Sequence, residues 1–329
     1  MQFTHHLDNG DGSDVGFLAI THHTREHIFM LPFCIGGHTM LPTMQHTIDV
    51  SGTRLAVYEW SQTGDPVVFL HFLNGNASTW NGVIPFFEKE YRAIGIDLRG
   101  HGRSDQPESG YDLPTLAADV AGVLDALGID SAHFVGSSLG CHVALQLASE
   151  YPERVRSLAF SDGALSDASC PNGEEVTLEE VVQPYMAQPL PVFDSVDDYL
   201  IHARERYGEL WNETRERAVR DGYLASLRRL PDGKLTFKTS KETELQVIEG
   251  IYRVCVADLY ARVQCPVLFL PAAIHRFYDF KLEHIARLQQ VLTAHSKVVV
   301  IPNTMHVMVY DFAEELSREI LAFYQEIGA

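Results

Sequence analysis

The stretch that most constrains this chain begins at Ala132-His133-Phe134-Val135, an apolar run with β-type spacing. It breaks at Gly136-Ser137-Ser138-Leu139-Gly140 and resumes as Cys141-His142-Val143-Ala144, small apolar residues with helical spacing. A strand that turns this sharply into a helix needs a sheet to hold it and open space above the sheet for the turn. G-x-S-x-G spacing selects Ser138 over Ser137 as the nucleophile, held in a strained conformation with its oxygen exposed. Gly136 and Gly140 leave room for strand and helix to approach.

The rest of the sequence supplies such a sheet. Short β-branched or apolar runs at 47–50, 55–60, 67–71, 92–97, 132–135, 157–162, 267–270 and 297–301 read as eight strands. Helical periodicities at 78–89, 113–127, 139–150, 280–292 and 311–327 lie between or after them. This alternation predicts the α/β class, an eight-stranded, mostly parallel sheet flanked by helices, with chemistry beyond the carboxyl ends of the strands. The expected core domain comprises residues 47–163 and 263–329. Residues 164–262 are an insertion after the sixth strand, mainly helical in pattern, with a turn at Pro231-Asp232-Gly233 followed by an alternating run from Lys234 to Lys238. Its Tyr185, Met186, Phe193, Tyr199, Tyr207, Trp211, Tyr223 and Leu224 either line a substrate pocket or pack the insertion onto the core. Residues 1–46 lack periodicity and read as an extension or surface arm; His22, His23 and His27 are too loosely spaced to predict a metal site.

Composition narrows the partners. A formal charge of −19 repels phosphate backbones and anionic membrane faces, so neither nucleic acid nor membrane is expected. The apolar stretch from His27 to Met44 is broken by Pro32, Gly36, Gly37, His38 and Pro42, which argues against a membrane span. Cys34, Cys141, Cys170, Cys255 and Cys265 form an odd set without zinc spacing, and no basic-then-apolar leader opens the chain. They are expected to be reduced, buried thiols in a cytoplasmic protein. Nothing in the sequence predicts a cofactor or an oligomeric state.

A serine hydroxyl needs a base to take its proton. His306 follows the last predicted strand on Pro302-Asn303-Thr304-Met305, at the carboxyl edge of the sheet, whereas His71, His101, His133 and His142 have blander places in turns, strands or helices. The oxyanion of acyl transfer needs backbone donors, and the amide of Leu139, directly after the nucleophile, is one. A second is expected from the loop 71–76.

Taken with Ile96-Asp97-Leu98-Arg99-Gly100-His101-Gly102-Arg103-Ser104-Asp105 after the fourth strand, Trp80 closing the loop after the third and the insertion after the sixth, the chain resembles the α/β-hydrolase superfamily from about Thr47 onward. The resemblance implies a helical cap over a pocket, acyl-enzyme chemistry on a small carbonyl compound, and Leu73 as the second oxyanion donor. Two departures stand out. Phe72 occupies the place where the family usually has glycine, and Pro271-Ala272-Ala273-Ile274-His275 lacks the acid that usually follows the seventh strand. Asp162, at the end of the sixth strand, fills that role in some relatives, among them certain haloalkane dehalogenases; Asp279 is the alternative, unless it merely caps the next helix. If Asp162 only orients His306, Asp162→Asn is expected to lower turnover with little change in melting temperature. The leading functional reading is a cofactor-independent serine carboxylesterase for a small or medium, largely apolar acyl group. A carbon–carbon bond hydrolase of the same fold, and a receptor-like member with little turnover, remain alternatives.

Overall fold

The computed structural model describes residues 42–329 except 209–210, 214, 217–218, 221–225 and 276, together with the short antiparallel strands Cys34–Ile35 and His38–Thr39. His22, His23, His27, Tyr223 and Leu224 lie outside the described residues.

Eight strands form the main sheet: β1 (Met44–Val50), β2 (Thr53–Glu59), β3 (Asp65–Leu70), β4 (Tyr91–Ile96), β5 (Ala132–Ser137), β6 (Val155–Ser161), β7 (Val267–Leu270) and β8 (Ser296–Val298). Their spatial order is β8-β7-β6-β5-β3-β4-β2-β1. All neighbours run parallel except β1 with β2 and β2 with β4. The strands alternate between two cores: Val68 and Leu70 of β3 join the cluster containing Leu116, Val143 and Ile285, while Val67 and Phe69 join Trp80, Leu316 and Phe323. That two-sided burial follows from the period of two along a strand and explains the near-continuous apolar runs of the central strands.

The helices Leu113–Ala126, Leu139–Glu150, Tyr278–Val291 and Ala313–Ile327 fall within two residues of their predicted bounds. Asp112 caps the first by accepting the Thr115 amide. Asp311 stays outside the last, its amide and that of Phe312 donating to Met308 O in a preceding turn while its carboxylate pairs with Arg215. One helix was misread: residues 78–89 form two 3-10 turns, Ala77–Trp80 and Ile84–Phe86. Asn76 caps the first of them, and the Ala77 amide is drawn to the Asp97 carboxylate at 2.7 Å. Gly82 follows, and Pro85 lacks the amide that an α-helix would bond back to Asn81.

Between β6 and β7 the chain forms helices Leu178–Met186, Val196–Tyr207, Lys241–Tyr252 and Val256–Tyr260, and also an antiparallel three-stranded sheet, one strand of which, Leu235–Phe237, falls within the alternating run 234–238. Leu227–Arg229 pairs with Leu235–Phe237 around the turn at Pro231-Asp232-Gly233, and Val192–Phe193 completes it. The other two strands, Val192–Phe193 and Leu227–Arg229, carry too few residues for their alternation to stand out in the sequence. Burial of the thiols also needs correction: Cys141 and Cys265 are buried, but Cys170 is half-buried and Cys255 is exposed just before the short helix Val256–Tyr260.

Candidate active site

Ser138 sits between β5 and its helix with φ 50° and ψ −108°, a left-handed conformation that costs a non-glycine residue on the order of 1–3 kcal/mol. Neighbouring backbone enforces it. A Cβ at Gly140 would lie 2.1 Å from the Leu70 carbonyl oxygen, and one at Gly136 would lie 2.6 Å from the Cys141 nitrogen. The Ser138 amide donates to Ser161 O at 3.2 Å, and its carbonyl accepts from Cys141 N at 3.0 Å. Ser137, one residue earlier on the strand, is fully buried, whereas Ser138 is not.

His306 reaches this turn from the loop after β8. Buried Thr304 fixes that loop: its hydroxyl donates to Ile301 O at 2.7 Å and accepts from Ala273 N, and its carbonyl accepts from Ile274 N. Nε2 of His306 lies 3.0 Å from Ser138 Oγ, and Nδ1 lies 2.7 Å from Asp162 Oδ2. A carboxylate facing Nδ1 places the proton there and leaves the Nε2 lone pair directed at the serine. The four other histidines weighed as bases have other partners. His71 Nδ1 pairs with Phe72 O, His101 Nδ1 with Arg99 O, and His133 Nδ1 with Ser157 Oγ, while His142 Nε2 accepts from Ala164 N. Burial lowers His71, His133 and His142 to about 4 and His101 to about 3, which keeps all four neutral.

Asp162 follows β6 with φ 49°, and its side chain is enclosed. Asp279 is exposed in the first turn of Tyr278–Val291, so it is Asp162 that meets His306; Asp279 does not cap that helix either, since Phe277 holds the cap position. Oδ1 of Asp162 accepts from Ala272 N at 3.0 Å, so the backbone after β7 donates to the carboxylate from the place where the resemblance leads one to expect an acid. A partner that the sequence reading missed completes the shell: Lys281 Nζ lies 2.9 Å from Oδ1 and 3.1 Å from Oδ2. Burial works against ionisation of Asp162, but the hydrogen bond from His306 and the charge of Lys281 outweigh it and hold the carboxyl well below its ordinary range. The signal for Lys281 was present. It shares one face of its helix with Ile285 and Leu288, the three buried residues there, and a lysine on an apolar stripe needs an internal partner.

Leu139 opens the helix after Ser138, so its amide is one of the donors that a helix start leaves without an intrahelical partner. Leu73 lies on the loop after β3, the strand beside β5. The carbonyl of Phe72 pairs with His71 Nδ1 at 2.8 Å and accepts from Gly75 N at 2.9 Å, while His71 Nε2 accepts from Leu98 N at 3.0 Å. That last bond puts the His71 proton on Nδ1. In a trans peptide the N–H points away from the preceding C=O, so gripping the Phe72 carbonyl turns the Leu73 amide to the opposite side.

The family model for the alpha/beta hydrolase fold matches residues 65–313. The chain belongs to this family. Among curated relatives of this chain, a non-heme chloroperoxidase from Streptomyces lividans is 43% identical over 107 residues, 32% of this chain and 39% of the relative. The chain thus spans about two fifths of the length of the first such relatives it matches. A bifunctional esterase/perhydrolase from Acinetobacter calcoaceticus is 24% identical across 85% of this chain and 99% of its own. The crystal structure of an E-2-(acetamidomethylene)succinate hydrolase shares the fold with TM-score 0.68 at 24% identity, covering 87% of this chain and 99% of that one.

Insertion residues behave unevenly. Phe193 and Tyr199 are buried edge to face at 5.2 Å within the insertion, Tyr185 and Met186 are exposed, and Trp211 is half-buried. Among the described residues no group of histidine, cysteine and acidic side chains is arranged to hold a metal ion, and no helix is long and apolar enough to cross a membrane.

Proposed function

We propose that this protein is a serine hydrolase that needs no cofactor, most simply a carboxylesterase for a small or medium, largely apolar acyl group. The observation that carries the proposal is the continuous contact Ser138–His306–Asp162, at 3.0 Å and 2.7 Å, spanning three separate strand ends. Ser138 Oγ attacks the substrate carbonyl as His306 Nε2 takes its proton, and Asp162 stabilises the imidazolium that forms. The oxyanion is received by the amides of Leu139 and Leu73, a donor of this kind being worth about 3 kcal/mol of barrier. The imidazolium then protonates the leaving alcohol. Water, deprotonated by His306, attacks the acyl-serine and releases the acid, restoring the serine.

The His306–Asp162 contact weighs against a receptor-like protein, because it supplies a carboxylate for the histidine although the loop after the seventh strand has none. Residues 164–262 serve in this reading as the cap. Support comes from hydrogen bonds to the loops at the carboxyl edge: Asn74 Nδ2 to Glu244 Oε1 at 3.1 Å, and Asn76 Nδ2 to Ser226 Oγ at 2.7 Å. A fluorophosphonate probe should label Ser138 and no other serine, and p-nitrophenyl acetate and butyrate should be hydrolysed. Ser138→Ala should abolish both; labelling at Ser137, or undiminished turnover in that variant, refutes the assignment. The relatives named as a chloroperoxidase and an esterase/perhydrolase make hydrogen peroxide worth testing as a second acceptor for the acyl group.

A further inference from the structure

We propose that Lys281 is a positioning residue of the catalytic group: its ammonium clamps both oxygens of Asp162 and offsets the carboxylate's charge, setting how readily His306 takes a proton. The inference rests on the serine-hydrolase reading above. Lys281 is only 9% exposed, and its Nζ lies within 3.1 Å of both oxygens of a carboxylate that is itself enclosed. Burying an ammonium in that way is costly unless it is paired, so its place on the inner face of Tyr278–Val291 is fixed by Asp162.

The geometry gives the pair two effects. First, Asp162 accepts four contacts: Ala272 N and Lys281 on Oδ1, His306 and Lys281 on Oδ2. The carboxylate plane is therefore fixed from both sides, and Oδ2 is held toward His306. Second, the buried pair is close to neutral. In a serine triad the carboxylate stands as an uncompensated anion beside the histidine and favours the imidazolium. Here, a proton gained by His306 creates a second cation near Lys281. The two donors share Oδ2 at 2.7 Å and 3.1 Å, so they are separated by less than about 6 Å.

Two titratable groups on the neighbouring helix do not supply that charge. On the helix Leu139–Glu150, burial pushes the Cys141 thiol far up and brings His142 down to about 4, so both are neutral at the pH of the reaction. The repulsion between two unit charges at this spacing and an effective dielectric near 20 corresponds to about two pH units, and the half-exposed imidazole, screened by solvent, lowers it toward one. The ammonium of Lys281 thus opposes the positive charge that His306 gains when it takes the serine proton.

The test is the pH dependence of two rates, phosphonylation of Ser138 by a fluorophosphonate probe and kcat/KM for p-nitrophenyl butyrate, in the native chain, Lys281→Met and Lys281→Arg. In Lys281→Met the acid limb of both profiles should move up by about one to two pH units, while Lys281→Arg, which keeps the charge, should retain the native limb. Should the methionine variant fail to fold, Lys281→Gln decides the question, since it keeps a donor without the charge and should show the same shift. A lower rate with an unmoved limb in the neutral variant, or an equal shift in the arginine variant, overturns this inference alone. A native chain that neither labels nor turns over ester overturns the hydrolase reading, and the inference with it.

Discussion

Replacing Asp162 by asparagine keeps the side chain's size and removes its charge, and the surrounding contacts determine the outcome. Oδ1 faces two donors, Ala272 N and Lys281 Nζ; Oδ2 faces His306 Nδ1 and Lys281 Nζ. An amide offers one oxygen and one NH2. With the oxygen toward His306, the NH2 confronts the Ala272 amide and the ammonium, donor against donor. With the NH2 toward His306, the ring must carry its proton on Nε2 and can no longer accept one from Ser138. The expected loss in turnover is about ten-thousandfold, as for the equivalent change in a serine protease. Because Lys281 also loses its counter-charge, the substitution should destabilise the chain by about 3 kcal/mol, the low end for breaking a buried pair, since a little of the lysine reaches solvent. For a chain of this length that corresponds to a fall in melting temperature of about 4 °C. This differs from the expectation for a purely orienting carboxylate, and Lys281 is the reason. Steady-state hydrolysis of p-nitrophenyl butyrate and calorimetry read the two effects separately. Asp162→Asn combined with Lys281→Met should recover most of the stability and none of the turnover. Turnover within tenfold of native in the single variant would show that Asp162 is structural and refute the assignment.

Three further outcomes are expected. His306→Ala should lower turnover by about five to six orders of magnitude and abolish fluorophosphonate labelling, while Asp279→Asn, on an exposed first turn, should change turnover less than about twofold; the reverse ranking would move the chemistry elsewhere. Gly140→Ala should cost at least about 3 kcal/mol in urea unfolding, because its Cβ would meet the Leu70 carbonyl, which is backbone and cannot swing aside; a variant as stable as native would mean the elbow is looser than drawn. Finally, burial lowers His71, His133 and His142 to about 4 and His101 to about 3, so the folded chain refuses protons that the unfolded chain binds below about pH 6.5. Their contribution to stability is complete above that pH and is lost as pH falls toward 4, each costing on the order of 3 kcal/mol; a urea midpoint unchanged between about pH 7 and pH 5 would refute it.

The elbow at Ser138 was legible because its determinants lie within a few residues of one another: an apolar strand, two glycines and a helix of small side chains. His306 was legible from its place after the last strand. The acid was not settled, because the choice between Asp162 and Asp279 depends on which strand ends meet in space. Asp162 and Lys281 are 119 residues apart in sequence, and only the parallel pairing of β6 with β7 brings the segment after each to one corner. The 3-10 turns at 77–86 were misread for a related reason. Apolar spacing at Val83, Ile84 and Phe87 fits a helix face, yet the distant Asp97 carboxylate fixes the local start and Pro85 prevents continuation.

The two departures from the family's pattern are met by different means at different corners of the site. At the acid corner, moving the carboxylate from the β7 loop to the end of β6 leaves a backbone amide, Ala272 N, where a side chain is usual, and a lysine from the following helix completes the shell. At the oxyanion corner, Phe72 replaces glycine. Its φ is not in the left-handed region, so the backbone there does not require glycine, and the neighbouring left-handed position falls to Asn74 at φ 68°. The ring of Phe72 packs edge to face against Tyr310 at 5.8 Å, on the segment that leads from His306 to the last helix. A bulky residue is therefore compatible with the same amide orientation, because that orientation is fixed by the carbonyl grip of His71 and Gly75 and owes nothing to the side chain. Phe72 also ties the loop after β3 to the chain segment that carries His306, so motion of either is resisted by this aromatic contact. The glycine of the usual pattern has no side chain with which to make it.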